Sequence, residues 1–378
     1  MQEDLGVVRP SFPSAAYAAS DMTGIAAGET CIGYDRENMI LDWCGSTVVG
    51  FSDSKRVSYA EQWLLPVMDS LDTGDNIDIP DFGGGLAEMR AFDVSVDGAI
   101  MVGYGQDRRG AVGFRADMTD PMTDPLLPPT VDELEITDAL EGITLQNVKA
   151  YAVSEDGNII VGTGSLRRGN RGFITTVLAE ATDTEPIVLE SYVLPVLGGG
   201  GFAEAYALAT APDGVGGFLK FVAGKCDSPQ GVQACIWYEG DNDVGERVWL
   251  VKALGSLAPQ SVDSEATGIA YRPGSLVGDL MVIGRSRTNL YASEAFVWTG
   301  NPTLEEEEIG YFYDLEYILT KTGVGEASSM GSDWVLTEVN GVSAAGDRIV
   351  GWGINPEGGD EAFVVTGYPY DELIFTHE

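Results

Sequence analysis

Short apolar runs closed by a glycine punctuate the chain: VVG ending at Gly50, MVG at Gly103, IVG at Gly162, VAG at Gly224, VIG at Gly284 and IVG at Gly351. The intervals between these glycines are 53, 59, 62, 60 and 67 residues. A recurring period of this kind marks a fold built by stacking one module. Two copies, AFDVSVDGAIMVGYGQDRRGAVGF (91–114) and AYAVSEDGNIIVGTGSLRRGNRGF (150–173), agree down to a pair of arginines after the second glycine.

Two further features accompany the steps. Upstream comes a run with a turn, as in VSVDGAIMVG, VSEDGNIIVG and VSAAGDRIVG. Asp-Gly or Ala-Gly there predicts a tight hairpin, because glycine accepts positive φ and aspartate caps its own turn. Eleven to thirteen residues past the glycine stands an aromatic: Trp63, Phe114, Phe173, Trp237, Phe296 and Phe363. Each unit therefore predicts strand, tight turn, strand, polar bend and strand, with a fourth strand in the variable linker.

Runs such as IIVG are apolar at successive positions, so both faces of those strands are buried. Antiparallel sheets covered on both sides and repeated in series describe a β-propeller. The expectation is an all-β, six-bladed propeller with about four strands per blade, forming one domain over 1–378. The approximate blades are 12–66, 82–128, 145–196, 197–256, 262–320 and 333–370. Five or seven blades stay open, because CIGY and TVVGF compete for one place in the first unit. The rivals are a parallel β-helix, whose repeats are about half this length, and two β-sandwiches, which leave the shared period unexplained. YDLEYILTKT (313–322) places Leu315, Ile318 and Leu319 on one face and predicts a short helix capping the last blade. Acid- and proline-rich stretches (69–81, 121–138, 305–308) are expected inter-blade loops.

The segments GGGLAEMRAFDVSVDGAIMVGY, LGGGGFAEAYALATAPDG and SDWVLTEVNGVSAAGDRIVGWGINPEGGDEAFVV resemble the bacterial extracellular HAF-type repeat. In that pattern a Gly-Gly segment precedes an alanine-rich strand, a Ser-x-Asp-Gly turn, a Val-Val-Gly strand and a Glu-Ala-Phe or Glu-Ala-Trp strand. The copy from Trp334 to Val365 is nearest, followed by Ala295–Trp298; the first unit departs from it. The resemblance implies export, a surface role and a propeller fold. It carries over no catalytic residue.

Charge narrows the partners. The 378 residues include 59 acids against 21 basic residues, six of them lysines and fifteen arginines, for a formal net charge of -38. Such a chain is repelled by nucleic acid and by anionic lipid, and it suits a saline exterior, Ca2+ or a cationic partner. No apolar run reaches eighteen residues, so no transmembrane helix is predicted. The start, MQEDLGVVRPSF, has no charged-then-apolar leader. That fits a cytoplasmic protein or one whose signal peptide has been removed. The cysteines favour export: Cys31 with Cys44, and Cys226 with Cys235, form two local pairs without a C-x-x-C, as disulfides do.

Candidate chemistry is sparse. His377 is the single histidine and lies one residue from the end, which removes histidine triads and histidine-ligated metals. Ser95-Val96-Asp97-Gly98 invites comparison with the sialidase Asp-box, but its glycine comes one place early and the tryptophan is missing. A structural turn is the expectation. Asp241, Asp243 and Glu246 in DNDVGE have the spaced oxygens of a Ca2+ loop, without the distal glutamate of an EF-hand. The arginines Arg108, Arg109, Arg167, Arg168, Arg171, Arg285 and Arg287 follow their glycine steps and suit carboxylate or sulfate recognition; pairing with local acids is the plainer role. Trp63, Trp237 and Trp298 recur at the aromatic position and are expected in the core. Together these features predict a secreted or cell-surface, non-enzymatic propeller binding a glycan or protein, or assembling with its own copies. The alternative is a carbohydrate-active hydrolase or lyase using acids at the channel mouth.

Overall fold

The computed structural model describes the backbone of 14–19, 32–35, 40–43, 47–53, 58–64 and 76–78, and residues 88–366 apart from short segments. Those segments are 107–109, 119–129, 181–186, 199, 213–216, 242–244, 259–261, 272–279, 289–292, 304–309, 323–333, 344–345, 347, 355–356 and 359. Strands make up 72% of the structure and helix 2%, so the chain is all-β as its patterning predicts.

Six repeats follow one another. The first comprises β1 (Ser14–Ala19), a separate hairpin of β2 (Ile32–Asp35) and β3 (Ile40–Trp43), then β4 (Thr47–Asp53), β5 (Ser58–Leu64) and β6 (Asn76–Asp78). The second has β7 (Glu88–Val94), β8 (Ile100–Gln106), β9 (Ala111–Asp117) and β10 (Thr130–Glu133). The third has β11 (Gln146–Val153), β12 (Ile159–Leu166), β13 (Gly169–Ala179) and β14 (Val188–Val193). The fourth has β15 (Ala203–Pro212), β16 (Phe218–Ser228), β17 (Gly231–Asp241) and β18 (Arg247–Gly255). The fifth has β19 (Val262–Tyr271), β20 (Leu280–Ser286), β21 (Glu294–Gly300) and β22 (Gly310–Asp314), and runs into α1 (Leu315–Thr322). The sixth has β23 (Val335–Val342), β24 (Arg348–Ile354) and β25 (Asp360–Thr366). Short parallel contacts, Ser58 with Glu88 and Gly231–Val232 with Val262–Asp263, join the first repeat to the second and the fourth to the fifth. Among the described residues no sheet closes on itself, and the sixth repeat shows three strands.

The chain divides into two compact units, Met1–Leu166 with Phe173–Val193, and Arg167–Gly172 with Leu194–Glu378. The division passes through the β12–β13 hairpin.

The predicted turns form from local chemistry. Ser95 Oγ donates to Asp97 at 2.6 Å and accepts from Ile100 N at 2.9 Å, while Asp97 accepts from Ala99 N at 3.0 Å. Ser154, Asp156, Asn158 and Ile159 repeat this arrangement. The turn glycines Gly98, Gly157 and Gly346 have φ of 73°, 75° and 72°, a region that glycine enters without steric cost. The Ser-x-Asp-Gly motif is thus a structural turn.

The six glycine steps share one geometric role. Each faces the residue at which the first strand of its repeat bulges: Gly50 pairs with Ala16, Gly103 with Ala91, Gly162 with Ala150, Gly224 with Ala205, Gly284 with Ala266 and Gly351 with Val339. The bulge drives the preceding carbonyl against the glycine Cα. A Cβ on Gly103, Gly162, Gly224 or Gly284 would stand 2.0 Å from the oxygen of Arg90, Lys149, Glu204 or Glu265, and one on Gly351 would stand 2.1 Å from that of Glu338. The same register settles the first repeat, where Gly50 holds the step and Gly33 belongs to the separate β2–β3 hairpin.

The recurring aromatic divides into two positions. Phe114, Phe296 and Phe363 pair with the step glycine itself, whereas Trp63 and Trp237 lie two residues on, opposite Val48 and Val222. In the fourth repeat Cys235 faces Gly224 instead.

The core lies between successive sheets. Ile100 and Val102 of the second repeat pack with Val148, Ile160 and Phe173 of the third. In the fifth repeat, Val282, Phe296 and Trp298 pack back onto Ile236 and Tyr238 of the fourth, while Met281, Ile283 and Val297 pack forward onto Val339, Ile349 and Phe363 of the sixth. Alternate residues of one strand therefore serve opposite cores, which is why these strands are apolar at every position. Helix α1 buries Leu315, Ile318 and Leu319 in the second of these cores, and Asp314 caps it by accepting from Tyr317 N at 3.1 Å. It connects the fifth repeat to the sixth.

Cys226 and Cys235 form a buried disulfide across the β16–β17 hairpin, with Cα atoms 6.2 Å apart. Cys31 and Cys44 lie outside the described residues.

The glycine step yields a direct test. Gly162→Ala forces a methyl group into the Lys149 carbonyl and is expected to cost about 3 kcal/mol or more of unfolding free energy in denaturant titration. Gly198→Ala, which meets nothing within 4 Å, is expected to change it by less than about 0.5 kcal/mol.

Candidate functional site

Two positions beside the step carry the polar residues of the first and second strands. The residues preceding the bulge are Arg90, Lys149, Glu204, Glu265 and Glu338; those following the glycine are Tyr104, Thr163, Lys225, Arg285 and Trp352. The register pairs them directly, and within each compact unit the packing of repeats brings each pair beside the next.

In the second compact unit this produces a continuous ion-pair line. Lys225 Nζ lies 3.2 Å from Glu204 of its own repeat and 3.3 Å from Glu265 of the next. Arg285 lies 2.7 Å from Glu265 of its own repeat and 3.7 Å from Glu338 of the next. Each cation thus spans one boundary between repeats. Glu265 holds the Arg285 guanidinium firmly charged, with burial opposing and Glu338 and Asp263 assisting. For Glu204, burial works upward, but the Tyr206 hydroxyl, the Asn170 amide and Lys225 outweigh it and keep the carboxylate below its ordinary range. Glu204 is therefore no proton donor at neutral pH.

In the first compact unit the same positions carry cations and aromatic rings. Lys149 Nζ stands 4.6 Å above the Tyr104 ring. Phe92, the extra residue of its bulge, stacks on Tyr104 at 5.5 Å and meets Tyr151 edge-on at 5.2 Å.

A cleft of about 250 Å3 opens along the ion-pair line where the fourth and fifth repeats meet. Lys225, Glu265 and Arg285 form one side; Arg287, Asp263 and Phe202 also line it. Two of the arginines singled out in the sequence, Arg285 and Arg287, share this cleft. Arg167 and Arg168 are exposed at the β12–β13 hairpin and do not line it. Arg171 turns onto backbone carbonyls of Asn170 and Gly201. Arg108 and Arg109 lie outside the described residues, as does Asp243 of the Ca2+ loop. Of its companions, Asp241 ends β17 opposite Arg247, and Glu246 is exposed. Among the described residues no group of three or more acids, cysteines or histidines is arranged to hold a metal ion.

Lys225, Glu204, Glu265, Glu338 and Asp263 were not among the residues marked in the sequence. Lys225 follows its glycine step directly, but the glutamates lie at different distances before theirs and share only a position in the strand register. That position becomes readable once the step is known to face a bulge.

One carboxylate stands apart. Asp93, half-buried beside the bulge of the second repeat, accepts from Val94 N at 2.9 Å and from Val153 N of the third repeat at 2.8 Å. Burial pushes its pKa up to about 7, against the lowering effect of both amides.

No protein-family model and no curated protein sequence matches the chain. Two solved structures are similar to it in outline. The TolB structure from Acinetobacter baumannii aligns at 14% identity and a TM-score of 0.34, over 68% of this chain and 48% of that one. The aligned region therefore spans about half of that protein's length. The Sqt1 structure from Chaetomium thermophilum aligns at 11% identity and a TM-score of 0.32, over 93% of this chain and 96% of that one.

Asp93 makes the stability of its region pH-dependent. Its folded pKa is raised, so its contribution is fully present below the ordinary carboxylate value near 3.8 and is lost as pH rises through about 7. Unfolding free energy is expected to fall by roughly 2–4 kcal/mol between pH 4 and pH 8 on this account. Glu294, Glu316 and Asp132 add in the same direction. Denaturant titrations across that range, repeated on Asp93→Ala, are expected to show a flatter profile for the variant; an equal slope in both proteins would contradict the assignment.

Proposed function

We propose that this chain is a non-enzymatic binding protein of the cell exterior, built as a six-bladed β-propeller, whose polar cleft holds part of a surface or matrix ligand. The six repeats have one register, and within each compact unit successive sheets pack face against face with their first strands side by side. Those features support ring closure. Local pairing of Cys226 with Cys235 supports an oxidising location. The observation that carries the binding reading is the cleft itself. It gathers two arginines and a lysine on a protein of net charge -38, and places them beside acids that hold them in fixed directions.

The acids along the cleft do not form a pair poised for hydrolysis. Glu204 is held ionised, and Glu265 is engaged by two cations. Ligand binding without turnover is the chemistry this arrangement supports.

Negative-stain images of the purified chain are expected to show a ring of six lobes around a central depression; an open stack or two separate lobes would overturn the ring. Screening against immobilised glycans and matrix polysaccharides is expected to give saturable binding with no release of shortened products. Absence of binding across the screen, or product formation, would overturn the binding reading.

A further inference from the structure

The geometry points to an acidic-sugar subsite in this cleft: it takes one hexuronic acid residue of a polysaccharide, with the sugar carboxylate on Arg287 and its hydroxyls on Asp263. This rests on the binding reading above and specifies its ligand.

Most polar groups of the cleft are already committed. Lys225 is shared between Glu204 and Glu265, and Arg285 between Glu265 and Glu338. Ser264 Oγ donates to Gly255 O and accepts from Ala234 N; Ser286 Oγ accepts from Leu257 N. Two charged side chains remain. Asp263 and Arg287 are neighbours across the β19–β20 ladder, where Arg287 N donates to Asp263 O at 2.8 Å. Both are exposed, and among the described residues neither side chain makes a direct ion pair or hydrogen bond, although the Asp263 carboxylate is near enough to Arg285 to help hold it charged.

A guanidinium and a carboxylate side by side, neither with a direct hydrogen-bond partner among the described residues, define complementary chemistry. The guanidinium offers a planar pair of donors that match a carboxylate bidentately. The aspartate only accepts, so it suits neighbouring hydroxyls that donate to it. Phe202 supplies an apolar wall for the C–H face of a sugar ring. A multiply sulfated chain or a nucleic acid would bring further negative charge against Asp263 and Glu265. At about 250 Å3 the space is smaller than most ligand clefts, which limits its occupant to a single ring.

Titration calorimetry of the full chain with a hexuronic acid tetrasaccharide tests this, with the same oligomer after reduction of its carboxylates to alcohols as the comparison. The intact oligomer is expected to bind at least tenfold more tightly than the reduced one. Arg287→Ala is expected to remove at least tenfold of that affinity, Arg287→Lys to restore part of it, and Asp263→Asn to weaken both oligomers. Circular dichroism confirms the fold of each variant, since both side chains are exposed. Equal binding of the two oligomers, or unchanged affinity in Arg287→Ala, overturns the assignment. Failure of the hexuronate while another glycan binds overturns the ligand class but leaves the binding reading; failure of every glycan and matrix ligand removes both.

Discussion

The contact between a bulged carbonyl and a bare glycine Cα underlies the rest of the structure. At each step the first strand accommodates one extra residue, and the second strand yields the room by having no side chain. The extra residue bends and twists the first strand. It also turns a side chain toward the neighbouring repeat, as Phe92 does to Tyr151, and Thr267 to the carbonyl of Val339. Because the repeats carry the bulge at the same register, equivalent residues of successive repeats within one compact unit meet one another. The ion-pair line is a consequence: Lys225 and Arg285 can bridge repeats because the bulge has placed their acids within reach on both sides.

This arrangement also explains how so acidic a chain keeps cations in a chosen place. Surface ion pairs contribute little singly, about 0–1 kcal/mol, and the line is not what holds the sheets together; the apolar faces between repeats do that. The pairs orient. Lys225 and Arg285 are each held from two sides, which leaves Arg287 and Asp263, one pair further along the same two strands, as the groups with spare bonding capacity. The proposed binding site and a structural network thus lie on one ladder, separated by Ser264 and Ser286, whose hydroxyls are spent on backbone groups.

Much of the fold was legible because it is local or periodic. Asp-Gly turns, doubly apolar strands, the amphipathic helix at Leu315–Leu319 and the Cys226–Cys235 pair follow from chemistry within about ten residues of chain. The repeat period located the glycines. The bulge was not legible, since nothing in Ala91-Phe92-Asp93 marks an unpaired residue except the glycine it meets twelve residues later. The site was legible in part for the same reason. Arginines near a glycine step stand out in an acidic chain, which drew Arg285 and Arg287 forward. The glutamates that set their directions are lost among 59 acids until register is known. Arg115 shows the opposite failure: it occupies the place of Ile174, Ile236 and Val297 in other repeats, yet it is buried and reaches Glu180 of the third repeat at 2.8 Å. A pattern of apolar positions gives no hint that one of them holds a charge.

The substitutions along the row beside the bulge suggest how one scaffold can carry different surfaces. The residue before the bulge changes from Arg90 and Lys149 in one compact unit to Glu204, Glu265 and Glu338 in the other, while the backbone register is unchanged. The facing position changes independently, from Tyr104 and Thr163 to Lys225, Arg285 and Trp352. Most of these side chains are polar and at least partly exposed, Thr163 being buried, so packing constrains them less than it constrains the glycine between them. A module whose fold depends on one backbone contact, and whose adjacent side chains are free of that duty, can change the surface it presents without changing how it folds.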